Sequence, residues 1–219
     1  MTFGFPEPDL IIFDCDGVLV DSEVLSCGCL SEVLGQCGIE LSEHDALDLF
    51  LGRSTAAVLQ HYDGRLVPEN FLRALKAQVF QQFRRSLRSI PGVSAVISQL
   101  TVPFCVASSS DLDRVRLSLG LTDLARYFGD RLYTAQMVAR GKPAPDLFLH
   151  AAAQMQADPQ RTLVVEDSVS GVSAAKAAGM MVWGFVGGSH YRSRDGRSML
   201  VDAGADRVFD QMANFWKGA

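Results

Sequence analysis

Polar and acidic residues gather at three places in this 219-residue chain, each directly after a short apolar run. Leu10-Ile11-Ile12-Phe13 breaks into Asp14-Cys15-Asp16-Gly17, Phe104-Cys105-Val106-Ala107 into Ser108-Ser109-Ser110-Asp111, and Leu163-Val164-Val165 into Glu166-Asp167-Ser168. Carboxylates brought close together repel unless a cation sits among them, so Asp14, Asp16, Glu166 and Asp167 call for a divalent metal. An all-oxygen set suits Mg²⁺, which keeps waters and a phosphate in its shell. Gly141-Lys142-Pro143-Ala144-Pro145-Asp146 adds a fourth element. Lysines are few, at 76, 142, 176 and 217, and an ammonium at Lys142 facing the acids would neutralise phosphoryl oxygens as charge shifts during transfer.

The elements that would hold these residues follow from the pattern around them. Apolar runs without alternation suit strands buried on both faces of a parallel sheet. Helical patterns follow the second and third runs, and further short runs at 131–134, 180–186 and 207–209 complete a strand–helix alternation. That alternation predicts an α/β fold with a doubly wound parallel sheet, a Rossmann-like core, whose ligands bind at the carboxyl ends of the strands. The interval from the first strand to Pro91-Gly92 is far longer than a crossover needs and reads as helical throughout. Helices are expected from Ser22 to Cys37, from a Ser42 cap, from Ser54 to His61, and from Pro68 at the first helical position to about Leu87. Residues 1–20 and 89–219 are therefore expected to form the catalytic α/β core, and 21–88 a helical cap. Phe13 and Trp183 are expected in the core, and His190, after Gly187-Gly188-Ser189, in an exposed loop.

Composition excludes several classes. With 48% hydrophobic and 21% charged residues the chain can bury a large core, so a disordered or fibrous protein is excluded. No apolar run approaches a membrane span, and no secretory signal opens the chain. The net charge of −5 argues against a nucleic-acid surface. Five cysteines without a CxxC pair make a disulfide framework or zinc site improbable and point to a reducing cytoplasm.

Taken together, DCDGVLVDSE, the VASSS strand end, GKPAPD and VVEDSVSG, in that order, resemble the four motifs of the haloacid dehalogenase-like hydrolase superfamily. The resemblance covers nearly the whole chain and includes a helical cap after the first motif. It implies that Asp14 is the nucleophile of an aspartyl-phosphate intermediate. By the same resemblance Asp16 would protonate the leaving alcohol and then activate water, Ser108, Ser109 and Lys142 would hold the phosphoryl group, and Asp14, the backbone carbonyl of Asp16 and Asp167 would bind Mg²⁺, with Glu166 a ligand or just behind one. An aspartate at position 16 sets the chain apart from members that cleave carbon–halogen bonds. The chain looks closest to the subgroup of β-phosphoglucomutase and sugar-phosphate phosphatases, including 6-phosphogluconate phosphatases. Leu51-Gly52-Arg53-Ser54 matches the cap loop that reaches the substrate there, which makes Arg53 and Ser54 substrate-binding candidates. Ser26 stands where the mutase has a histidine, so release to water is expected over the mutase alternative. The expected partner is a small phosphorylated metabolite, with no nucleic acid or membrane, for a monomer or weak homodimer.

Overall fold

The structure, a computed structural model, describes residues 7–52, 55–62 and 68–216. Six strands, β1 Leu10–Phe13, β2 Phe104–Ser108, β3 Leu132–Thr134, β4 Thr162–Glu166, β5 Met181–Phe185 and β6 Arg207–Phe209, form one sheet. Its order is β3-β2-β1-β4-β5-β6 and every pairing is parallel. Each strand is three to five residues long, and β1 is buried along its whole length. Side chains alternate across the pleat: Ile11 and Phe13 enter one apolar cluster, Leu10 and Ile12 the other. This is the doubly wound arrangement expected from the apolar runs.

The chain starts in the middle of the sheet, winds out to β3, then crosses back to β4 on the other side of β1. The order reverses between β1 and β4, and at that point the crossover connections diverge and leave a crevice above the strand ends. Asp14 N–H donates to Val165 O at 2.9 Å, so the pairing of β1 with β4 continues to the residue where the acids begin.

Between β1 and β2 lie α1 Glu23–Gln36, α2 Glu43–Phe50, α3 Thr55–His61 and α4 Phe71–Ser86. The Ser42 hydroxyl caps α2 by accepting from Asp45 N–H at 3.0 Å. In α4, Phe71, Leu75, Val79 and Phe83 recur every fourth residue and form the buried stripe. That helix starts later than expected. Pro68 lies in a turn whose carbonyl accepts from Phe71 N–H at 2.9 Å, and Asn70 occupies the cap position without a side-chain bond. The apolar residues of α1, α2 and α4 are continuous with the cluster on the Phe13 side of the sheet. The ends of this helical segment meet: Asp21 N–H donates to Arg88 O, Ile90 N–H donates to Leu19 O, both at 2.9 Å, and Val20 bridges Ser89.

The remaining helices, α5 Val93–Ile97, α6 Leu112–Leu121, α7 Ala125–Phe128, α8 Asp146–Gln154, α9 Val169–Ala177 and α10 Gly196–Asp202, cover the two faces. Helices α8, α9 and α10 close the Leu10–Ile12 side. Phe13 packs against Phe128 and Phe215 at ring distances of 6.4 and 6.3 Å, and Trp183 is buried beside Phe215 and Phe209. No described helix is long and apolar enough to cross a membrane. Phe13→Ala is expected to cost about 3–5 kcal/mol, the usual loss for a fully buried phenylalanine. Urea unfolding monitored by tryptophan fluorescence measures it.

Candidate active site

Four sequence-distant groups meet at the carboxyl ends of β1, β2 and β4. Lys142, whose side chain is 1% exposed, donates to Asp14 Oδ1 at 2.6 Å, Glu166 Oε1 at 2.7 Å and Ala107 O at 3.0 Å. All three ammonium protons are thereby used. Burial alone would discharge this lysine, but Asp14 and Glu166 outweigh it and hold its pKa above the ordinary value. Burial pushes the Asp14 carboxyl well up; Lys142 pulls it down, while Glu166, Asp167 and Asp16 push it further.

Two glycines make room for the acids. Gly17 has φ +79°, and a Cβ there would overlap Asp167 Oδ2 at 1.7 Å. Any L side chain would therefore be both strained and blocked at the turn after Asp16. A Cβ on Gly171, in the first turn of α9, would overlap Glu166 Oε1, also at 1.7 Å. Ser168 caps α9 and donates to Glu166 Oε2 at 2.9 Å, with its own N–H at 2.7 Å. Glu166 thus has both oxygens occupied by Lys142 and Ser168.

Asp16 is bound from several sides. Oδ1 accepts from Ser22 Oγ and Arg114 Nη2, both at 2.7 Å; Oδ2 accepts from Ser110 Oγ at 2.7 Å and Ser108 Oγ at 3.4 Å. Burial works against this carboxylate, but the Arg114 charge and the hydrogen bonds from Ser22, Ser110 and Arg114 win and hold its pKa below the usual aspartate value. Ser109 turns instead to the helical segment and donates to Gly52 O at 3.0 Å. Arg53 and Ser54 lie outside the described residues.

The sequence pattern left several neighbours unassigned. Ser22, Ser110 and Arg114 contact Asp16, and Glu23 lines the same cavity of about 210 Å³. Their proximity to the first motif and to the end of β2 is the only signal that could have found them. Glu23 is buried, and burial, followed by repulsion from Asp16 and Asp167, pushes its pKa to about 8. His190 is also not where its glycine-rich surroundings suggested. It is 2% exposed, with Nε2 lying 3.0 Å from Asp167 Oδ2 but not aligned to donate to it. Gly188 leaves no room for a side chain beside the ring, and Ser189 anchors the turn by donating through N–H and Oγ to Asp21 Oδ1 at 2.9 and 2.8 Å. Burial outweighs the nearby acids and keeps the imidazole pKa below normal.

The donor set fits a hard cation. Asp167 Oδ2 is buried and accepts no hydrogen bond, and burial together with Glu166 raises its pKa well above normal. No three His, Cys, Asp or Glu side chains among the described residues enclose a metal by themselves.

A doubly wound sheet with buried acids, hydroxyls and a lysine at its switch point is equipped to bind and transfer a phosphoryl group, and its relatives place the chain among phosphoric monoester hydrolases. The chain belongs to the haloacid dehalogenase-like hydrolase family, whose profile matches residues 11–185. Escherichia coli 6-phosphogluconate phosphatase is 30% identical over 186 residues, 83% of this chain and 84% of that protein. A haloacid dehalogenase-like protein of unknown function from Agrobacterium tumefaciens superposes with a TM-score of 0.80 at 38% identity, over 94% of this chain and 95% of the other. A family hydrolase from Deinococcus radiodurans, solved with bound phosphate and sodium, gives a TM-score of 0.75 at 32% identity, over 96% and 94%.

The buried Glu23 predicts a pH signature. Unfolded, it ionises near 4.5; folded, it keeps its proton to about 8. Between those values the folded state binds more protons, so its stability falls as pH rises. Glu23→Gln should match the wild-type melting temperature near pH 4.5, exceed it increasingly as pH rises, and level off above pH 8. A tenfold difference in proton affinity between the folded and unfolded chain is worth about 1.4 kcal/mol, so differential scanning fluorimetry across that range will show it.

Proposed function

We propose that this protein is a Mg²⁺-dependent phosphatase for small phosphorylated metabolites, in particular sugar or sugar-acid phosphates, working through an aspartyl-phosphate intermediate. One observation carries the reading: Asp14, buried at the end of β1 and held at 2.6 Å by Lys142, borders the cavity together with Asp16. In the first step an Asp14 oxygen attacks phosphorus as the bond to the ester oxygen breaks, and Asp16, which must first take up a proton against the pull of Arg114, gives that oxygen its proton. In the second, water attacks the same phosphorus, Asp16 takes the water's proton, and the Asp14 carboxylate departs as phosphate forms. Splitting one difficult displacement into two lowers each barrier.

Lys142 orients Asp14 and pulls its carboxyl toward the ionised form against burial and the neighbouring acids, with Glu166 fixing the lysine from behind. Ser108 and Ser109, one residue apart at the end of β2, are the proposed phosphate contacts. Asp14, the Asp16 carbonyl and Asp167 would hold Mg²⁺, with Glu166 standing behind them on Lys142 and Ser168. When bound, the ion supplies positive charge to the phosphoryl oxygens.

We read residues 21–88 as a cap inserted into a core of 1–20 and 89–219. The paired ends of the helical segment support that division. The cavity of about 210 Å³ suits a small ester, and the resemblance to 6-phosphogluconate phosphatase supports a sugar-acid substrate. Arg53 and Ser54, which follow Gly52 in the sequence, are the proposed contacts to the far end of that substrate. Ser26, which would have to be a histidine for the mutase alternative, is bound to Arg114 and to the Ser22 carbonyl, both at 2.8 Å. This favours water as the phosphoryl acceptor.

Asp14→Asn should leave the fold intact and lower phosphate release by several orders of magnitude; turnover at the wild-type rate would refute the nucleophile assignment. A screen of phosphorylated metabolites with Mg²⁺, run beside a hexose-phosphate isomerisation assay, identifies the substrate and separates phosphatase from mutase. Removal of the metal by EDTA should abolish release, and added Mg²⁺ should restore it. Arg53→Ala should raise KM for the preferred substrate more than for p-nitrophenyl phosphate.

A further inference from the structure

The short turn Ser189–Tyr191, which follows β5, brings two adjacent side chains onto one residue. Tyr191 is buried, and its hydroxyl donates to the backbone carbonyl of Asp167. His190 brings Nε2 to 3.0 Å from Asp167 Oδ2, and among the described residues no other lysine, arginine or histidine is paired with that carboxylate. Gly17 makes room for both partners of this contact: a Cβ there would overlap Asp167 Oδ2 and meet His190 Cε1 at 3.0 Å. A Cβ on Gly188 would meet the same ring atom at 2.5 Å, so backbone lies directly against the imidazole at both positions. His190 does not line the cavity. Neither of its nitrogens has a hydrogen-bond partner, which is costly in a buried site. Phenylalanine or leucine would fill the space without that cost, so the nitrogens call for a use.

We propose that His190 is a positioning residue for Asp167, holding its carboxylate through Nε2–H so that the same oxygen can face a divalent cation. The inference rests on the proposed role of Asp167 as a Mg²⁺ ligand. A carboxylate oxygen has more than one lone-pair site, so Oδ2 can take a cation on one side and an N–H on the other. Tyr191 fixes the main chain of Asp167 but not its carboxylate, and the imidazole supplies that second constraint. Ser189 ties the turn to the loop after β1 by donating twice to Asp21 Oδ1, so the ring has a fixed base. The Nε2–H is not in line with Oδ2, and with the ring held by Gly17 and Gly188 the carboxylate is the partner that turns. That turn accompanies cation binding, and the aligned bond then keeps the carboxylate in place. A group bonded behind a metal ligand in this way typically governs about 10–100-fold in metal affinity.

Isothermal titration calorimetry with Mg²⁺ alone, on protein stripped with EDTA, tests this without turnover. His190→Phe keeps the ring and loses both nitrogens, and its Kd for Mg²⁺ should rise about 10–100-fold over the wild type. His190→Gln, whose amide N–H can stand where Nε2–H stands, should recover most of that loss. A merely structural role would lower the melting temperature of both variants and leave Kd unchanged. Equal Kd for the wild type and His190→Phe would overturn the proposal, as would a His190→Gln protein that binds as weakly as His190→Phe. If His190→Phe fails to fold, imidazole nitrogen-15 NMR of the wild type decides the matter. The spectra should show the proton on Nε2, and Mg²⁺ should shift the His190 signals while those of His44, His61 and His150 stay in place. A proton on Nδ1, or His190 signals indifferent to saturating Mg²⁺, would overturn the proposal. A wild-type protein that takes up no Mg²⁺ overturns the metal reading of the site, whereas one that binds the ion equally well without the His190 nitrogens overturns only the role of His190.

Discussion

A single ammonium group makes the centre of this molecule electrically tenable. Asp14, Glu166 and Asp167 are buried within one small region, and carboxylates removed from water repel one another far more strongly than on a surface. Lys142 bonds two of them directly and spends its third proton on the backbone carbonyl of β2. Breaking such a buried set by removing one partner is strongly destabilising, because charges are then left in the interior without compensation. One lysine does not balance the set, and burial with mutual repulsion pushes the Asp14 and Asp167 carboxyls well above their ordinary pKa.

The sheet delivers these groups by its winding. Order reversal between β1 and β4 puts the Asp14 and Glu166 strand ends side by side, and β2 brings its serines to the other flank of β1. The apolar residues below are packed on both faces, so the strand ends have no freedom to spread in response to repulsion. The opposite wall of the cavity differs in kind. There Leu30, Phe50, Leu75, Val79 and Phe80, from α1, α2 and α4, present an apolar surface with few polar groups. Charge chemistry thus belongs to the rigid sheet and enclosure to the helices.

Much of this was legible in the sequence, and the reason is geometric. A buried parallel strand needs an unbroken apolar run, and its carboxyl end is where polar residues first become acceptable, so the runs and their abrupt breaks mark both the sheet and the acids. All six strands and the Ser42 cap were readable in that way. Helix phase and long-range packing were not. Arg114 reads as one arginine among many until α6 is placed against α4 with its first turn reaching the loop after β1, and Glu23 reads as an ordinary acid in a first helical turn until the helix is laid over Asp16. His190 misleads for a related reason: two glycines suggest a solvated loop, yet one of them is present because the imidazole ring fills the space its side chain would need. Pro68 preceded its helix by a turn because local propensity alone does not register the bond between Phe71 N–H and the Pro68 carbonyl.

The stem formed by residues 19–21 and 88–90 has an implication for how such molecules diversify. Because Leu19, Asp21, Arg88 and Ile90 are tied to one another by backbone bonds, the sheet meets the intervening helices through a two-stranded neck of fixed width. On the proposed reading of residues 21–88 as a cap, a change of length within that segment meets the sheet first at these four backbone positions, so the register of β1 with its neighbours need not follow it.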